Sequence, residues 1–194
     1  MSEPRIILAS TSRYRAELLR RIVTNFEQFA PNVDEHPLPN ESPRARAARL
    51  AEAKARAVAA DAGNALVIGS DQVAALGDMV LHKPGSIENA HEQLRASSRH
   101  CVDFFTGLCV LDARSGRTSH ALDHTRVCFR DLDDTEIDRY LEYERPFDCA
   151  GSFKSEGAGI TLFEGIETQD PTALVGLPLI AVARLLREAG MVLP

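Results

Sequence analysis

Positive charge is in short supply: 22 lysines and arginines face 28 aspartates and glutamates, for a formal net charge of −6. That balance excludes a nucleic-acid coat or a membrane-surface protein, since both need a field that attracts phosphate. A small anionic substrate would therefore need a local basic pocket or a metal. Apolar residues are few at the start, where Met1-Ser2-Glu3-Pro4-Arg5 leads into the short run 6–9 and then Ser10-Thr11-Ser12. This is too short for a signal-peptide core or a membrane span, so a cytoplasmic setting is expected. Cysteine is scarce, and Cys101, Cys109, Cys128 and Cys149 form no Cys-x-x-Cys pair and have no paired histidines nearby, which argues against zinc. In a reducing compartment all four should stay thiols, packed as small hydrophobes in strands. Internal repeats and low-complexity linkers are also missing.

At 194 residues and 44% apolar composition, the chain can bury one substantial core and is short for two. One compact domain over residues 1–194, of one or two lobes, is expected. Residues 5–9 read as a strand, followed by a tight turn and a helix over 13–22. Ser42 can cap a second helix and Pro43 suits its first position, with the alanine-rich stretch running to about residue 60. Residues 65–68 read as a buried strand, interrupted by Gly69-Ser70-Asp71-Gln72 and resumed over 73–76, with a turn at Gly77-Asp78. A helix over 86–96 precedes two strands, 101–111 and 118–129, joined across Ser115-Gly116 as a hairpin. A helix over 136–143, a strand over 159–166 and an apolar helix over 179–189, ending at Gly190, complete the chain. This irregular interleaving points to an α/β fold, a mixed twisted sheet flanked by helices.

Four places could carry chemistry. The turn from Leu8 to Arg15 opens a helix, where unpaired backbone N–H groups and the Arg13 fork suit a phosphate, although an ordinary capped helix with solvated arginines would read the same way. Asp71 sits in an apolar stretch where an unpaired carboxylate would be costly, so it needs a metal, a cation or a turn. Lys54 lies on one helical stripe with Leu50 and Val58, so it either snorkels or faces a pocket. Lys83, before Pro84-Gly85, reads by itself as a solvated loop lysine. The loop 149–159 has three glycines that permit close backbone approach, and one lysine among them. It lacks the Gly-x-x-x-x-Gly-Lys-Ser/Thr order of a P-loop and equally suits a flexible bend.

Seven blocks, LASTSRYR at 8–15, VDE at 33–35, ESPR at 41–44, GSDQV at 69–73, HKP at 82–84, CAGSFKSEG at 149–157 and LVGLPL at 174–179, together resemble the Maf family of nucleoside triphosphate pyrophosphatases. They occur in family order over nearly the whole chain. The resemblance implies a fold similar to that of inosine triphosphate pyrophosphatases, with two lobes around a cleft, a divalent cation (Mg²⁺ or Mn²⁺) and a homodimer. It makes Asp71 the proton acceptor or a metal ligand, places Ser10, Arg13, Lys54 and Lys83 on the triphosphate, and gives Glu35 to the metal. The expected partner is a small nucleotide, not a nucleic-acid polymer or a membrane.

Gln72 and the GSFKSEG block are similar to the branch of the family that hydrolyses 7-methyl-GTP, and Tyr14 stands where that branch often has tryptophan. The resemblance makes Tyr14, Gln72 and Glu156 the positions that choose the base. A methylated guanine is cationic, so a carboxylate at Glu156 and a ring at Tyr14 both favour it, the ring by roughly 0.5–2 kcal/mol. Lys154 opposes such a pocket unless it points to phosphate. The implied reaction is attack of water on the α-phosphorus with pyrophosphate leaving. Alternatives are a dTTP/UTP pyrophosphatase of the same family, a phosphatase releasing orthophosphate, and a nucleotide-binding regulator of cell division that acts through a protein partner.

Overall fold

The computed structural model describes residues 4–194, so the first three residues of the N-terminal stretch lie outside the described residues. In chain order the elements are β1 (Arg5–Ala9), α1 (Arg13–Leu19), β2 (Glu27–Phe29), α2 (Pro43–Ala59), β3 (Ala65–Leu76), β4 (Met79–Leu81), α3 (Ile87–Ser97), β5 (Cys101–Asp112), β6 (Thr118–Phe129), α4 (Asp134–Glu144), β7 (Phe163–Glu167) and α5 (Leu179–Glu188). Short 3₁₀ turns lie at Ala158–Leu162 and Ala173–Val175. The helix starts follow the capping chemistry: Ser42, Ser86 and Asp133 each accept from a backbone N–H three residues on, and Pro43 fills the first position of α2. Gly116, at φ +72°, turns the chain between β5 and β6 as the hairpin reading requires.

The strands make the expected mixed sheet, in the order β2-β1-β3-β5-β6-β7 with β4 paired to β3. β1 runs parallel to β2 and β3, whereas β3–β4 and β6–β7 are antiparallel. The chain divides into two compact units. One holds the residues up to Gln72 with Thr106–Asp123 and Asp170–Pro194, and the other holds Val73–Phe105 and His124–Gln169.

In the first unit β1 is buried on both faces, which is why its sequence is a continuous apolar run. Ile6 and Leu8 pack with Leu19 of α1 and with Val182 and Leu186 of α5, while Ile7 and Ala9 pack with Ala55 of α2. The core of the second unit is aromatic: Phe153 meets Phe104, Phe129 and Phe163 edge-on, with ring centroids 5.4, 5.6 and 4.7 Å apart.

Three expectations are corrected. Residues 69–72 do not interrupt the strand, because β3 runs unbroken from Ala65 to Leu76. Gly69 there admits the backbone of α2, and Asp71 finds a cation, so neither residue needs a turn. The expected strand over 159–166 begins as a 3₁₀ turn and is extended only from Phe163. The cysteines are not all buried thiols in strands. Cys101 and Cys128 lie opposite each other on hairpin partners, their Cα atoms 4.0 Å apart, and form a disulfide. Cys149 is a half-buried thiol in a bend, outside any disulfide, while Cys109 is buried in β5 as expected.

Candidate active site

The site is built around α2. Its buried stripe is Ala47, Leu50, Ala51, Lys54 and Ala55, so one lysine travels inward with four apolar residues. The alanines let the helix lie directly on the sheet: a β-carbon on Gly69 would stand 2.2 Å from the Ala51 carbonyl oxygen, and one on Gly107 would stand 2.3 Å from that of Ala47. This close seat delivers Lys54, 6% exposed, to Asp71 in β3, 7% exposed. Lys54 Nζ donates to Asp71 Oδ1 at 2.6 Å and lies 2.7 Å from Glu35 Oε1. Burying these charges is tolerable because each meets an opposite charge with a charge-assisted hydrogen bond.

Glu35 approaches from the segment before α2 and keeps its side chain 56% exposed. Arg46 Nη2 donates to its carbonyl oxygen at 2.8 Å, and Arg49 donates to the His36 carbonyl at 3.1 Å and to both oxygens of Glu41. Arginines of α2 thus fix the segment that carries Glu35.

The turn between β1 and α1 is organised by its own hydroxyls. Buried Ser10 accepts from Ser12 N at 3.2 Å, and Ser12 caps α1 by accepting from Arg15 N at 3.4 Å. Two backbone donors of the turn are therefore already used, and α1 has only seven residues. Cationic side chains are left as the stronger anion-binding groups here. Arg13 is exposed; its guanidinium carbon lies 4.7 Å from the centre of the Tyr14 ring, and its Nη2 donates to the Tyr14 hydroxyl at 2.7 Å.

Sequence reasoning missed Arg15. Its Nε donates to the Gly176 carbonyl at 2.8 Å and its Nη1 to Ser10 Oγ at 3.3 Å. Burial pushes its guanidinium below the usual arginine range, while the negative charges of Asp71 and then Glu35 pull it back up. The signal was available in the sequence, because Arg15 shares a helical stripe with Leu18, Leu19 and Ile22, the pattern that singled out Lys54. The inner cluster thus holds two carboxylates, Glu35 and Asp71, against two cations, Lys54 and Arg15.

Gln72 follows Asp71 in an unbroken strand, so the two side chains stand on opposite faces. Its Nε2 donates to the carbonyls of Ala173 at 2.9 Å and Leu174 at 3.1 Å, with Thr106 Oγ1 at 3.1 Å.

The second unit carries the remaining expected residues. Lys83 is exposed between β4 and α3. Glu156 is exposed in the loop after α4, where it accepts from Ser155 Oγ at 3.4 Å. Lys154 does not oppose it as a loose cation. Its Nζ donates to the Glu144 carbonyl at 3.0 Å and to Glu144 Oε1 at 3.2 Å.

Among the described residues no group of three or more His, Cys, Asp or Glu is arranged to hold a metal. Glu35 and Asp71 converging on one ammonium offer two carboxylates. That set fits a hard divalent cation of the Mg²⁺ type, which is held by one or two carboxylates together with substrate phosphates. No helix among the described residues is long and apolar enough to cross a membrane.

A family model described as Maf-like protein matches residues 5–189. The chain is 52% identical over 187 residues to a 7-methyl-GTP pyrophosphatase of Nitrosococcus oceani, covering 96% of this chain and 94% of that one. It is 55% identical over 192 residues to one of Burkholderia pseudomallei, with 97% and 89% covered. With one of Xanthomonas campestris the identity is 56% over 191 residues, with 98% and 99% covered. Likeness on this scale spans β1, α2, β3 and the loops that carry every residue discussed above, and the chain belongs to the Maf-like protein family.

Proposed function

We propose that this chain hydrolyses 7-methyl-GTP to the nucleoside monophosphate and pyrophosphate. The reading is carried by identity of 52–56% over nearly the full length to proteins named for that activity. The joining of Lys54, Asp71 and Glu35 supports it, because a buried carboxylate with a fixed cation beside it suits phosphoryl chemistry.

Asp71 accepts the proton of the attacking water, held in place by Lys54. An ammonium has three donors, and with Asp71 and Glu35 taking two, the third is available to a phosphate oxygen. Arg15 and Arg13 add positive charge for a leaving pyrophosphate, and Ser10 orients Arg15. Because the resting cluster of two carboxylates and two cations is already balanced, a polyanion calls for further positive charge. Glu35 and Asp71 would hold a divalent cation, which when bound supplies Lewis-acid neutralisation of the phosphate charge. In the first unit Tyr14 supplies a ring face that suits a base. In the second unit Glu156 is an exposed carboxylate unopposed by Lys154, which is occupied with Glu144.

The test is pyrophosphate release from 7-methyl-GTP, GTP, dTTP and UTP compared by kcat/KM. A preference for 7-methyl-GTP is expected. A preference for dTTP or UTP, or release of orthophosphate without added inorganic pyrophosphatase, would overturn the reading.

A further inference from the structure

The face of β3 opposite Lys54 carries a second set of contacts: besides bonds to β5, Ser70 and Gln72 donate to the loop after Asp170, which also accepts from Arg15 of α1. The Ala173 carbonyl accepts from Gln72 Nε2 at 2.9 Å and from Thr106 Oγ1 at 3.0 Å. The Leu174 carbonyl accepts from Gln72 Nε2, and the Gly176 carbonyl accepts from Arg15 Nε at 2.8 Å and Ser70 Oγ at 3.0 Å. Carbonyl oxygens can only accept, so these bonds decide which end of the Gln72 amide faces the loop: the nitrogen does. Gln72 therefore spends its donors on the protein's own backbone, and the carbonyls at 173–176 hold the side chains on either side of Asp71 along with Arg15.

Something must hold that loop in turn. Asp170, 4% exposed, accepts from Thr172 N at 3.0 Å and Thr172 Oγ1 at 2.6 Å through Oδ1, and from Ile180 N at 2.7 Å through Oδ2. Thr172 Oγ1 accepts from Leu179 N at 2.8 Å. Pro178 precedes α5 and makes no side-chain cap, so Asp170 and Thr172 satisfy the first two amides of the helix from across the loop. Gly176 closes the loop at φ +114°, and a β-carbon there would lie 3.4 Å from Arg15 Nε.

Resting on the pyrophosphatase reading of this site, we infer that Asp170 and Thr172 are positioning residues for nucleotide selection. They staple the loop to α5, so its carbonyls fix Gln72 and Arg15, and position 72 acts on substrate choice through this loop.

The test uses the full chain with Thr172→Val, which deletes the hydroxyl at nearly constant shape, and Thr172→Ser, which keeps it. Two quantities are read: the ratio of kcat/KM for 7-methyl-GTP over GTP, and hydrogen-exchange protection of the Gln72 side-chain amide by NMR. Thr172→Val should lower the ratio about tenfold and lose the protection at a temperature where the chain stays folded, as expected for one buried hydrogen-bond partner. Thr172→Ser should restore both. If Thr172→Val does not fold, Asp170→Asn, which keeps the shape but cannot accept all three bonds, is read the same way. A variant that melts earlier yet keeps either quantity within about twofold of the parent shows a merely structural staple and overturns the inference. A parent chain inactive on every triphosphate overturns the pyrophosphatase reading instead, and the amide protection then decides whether the staple sets the loop.

Discussion

The Ala51 carbonyl oxygen stands 2.2 Å from the point that a β-carbon on Gly69 would occupy. No side chain is interposed to give way, since both partners are backbone. Gly69→Ala must therefore push α2 off the sheet and carry Lys54 away from Asp71. Overpacking of this kind costs about 1–3 kcal/mol or more, and urea denaturation should show it together with lost pyrophosphate release. Gly165→Ala, where nothing lies within 4 Å, is the matched control and should be tolerated.

Removing one partner of the Lys54–Asp71 pair should harm both folding and catalysis. Lys54→Met leaves a carboxylate whose side chain is only 11% exposed, at an expected cost of about 3–5 kcal/mol. Asp71→Asn should cut kcat by about 10²–10⁴ if it is the base, with nucleotide binding retained. A double variant that loses less stability than the sum of the single ones would identify the pair as one unit; full additivity would show that the two side chains act separately.

Base selection gives a separate test. Glu156→Gln should reduce the preference for 7-methyl-GTP over GTP and leave hydrolysis of GTP little changed. Tyr14→Leu should cost about 1–3 kcal/mol on any stacked base. Arg13 lies 4.7 Å from the Tyr14 ring centre, so its guanidinium already covers one face of the ring and would repel a cationic base there. Arg13→Ala should therefore raise the preference for the methylated base while weakening triphosphate binding. Equal losses on all four triphosphates in Glu156→Gln would remove Glu156 from base reading.

Thiol chemistry should separate the four cysteines. Burial pushes the Cys109 thiol up to about 12, with the Glu52 charge adding to it, so it should resist alkylation in the native chain at neutral pH. Cys149 should react, and Cys101 and Cys128 should react only after a reductant opens their bond. Mass spectrometry of the native sample, of the reduced native sample and of the sample both reduced and unfolded would count one, three and four modified cysteines; two in the unreduced native sample would contradict the burial of Cys109.

Acid should loosen the entry to α2. Hydrogen bonds from Arg49 hold the Glu41 carboxyl down at about 2, from an ordinary 4.5. A depressed folded-state value means that the contribution is present above 4.5 and is lost as pH falls toward 2. Glu41→Gln should remove this part of the acid sensitivity, measured as melting temperature between about pH 5 and 2. An unchanged pH profile would show that the pair contributes nothing to folding.

Much of the fold was legible because the relevant signals are local. Ser42-Pro43, Ser86 and Asp133 mark helix starts through bonds made within three residues, and Gly116 marks the hairpin through its own φ. The short strands β2 and β4 escaped notice, since three residues carry no period of their own and pair only because a neighbour is present.

For the site, the sequence by itself determined which residues could not be bland. A carboxylate inside an apolar run and a lysine on an apolar helical stripe each imply a partner, because burying either charge alone costs too much. Only the tertiary structure decided that they partner each other, 17 positions apart, with Glu35 as a third member. It also decided that Gly69 continues a strand, that Cys101 meets Cys128, and that Gln72 turns its amide to a loop about a hundred residues away in the chain. These outcomes depend on strand register and on how closely a helix can seat against a sheet. Both are set by packing between segments distant in sequence, and no local pattern encodes that distance.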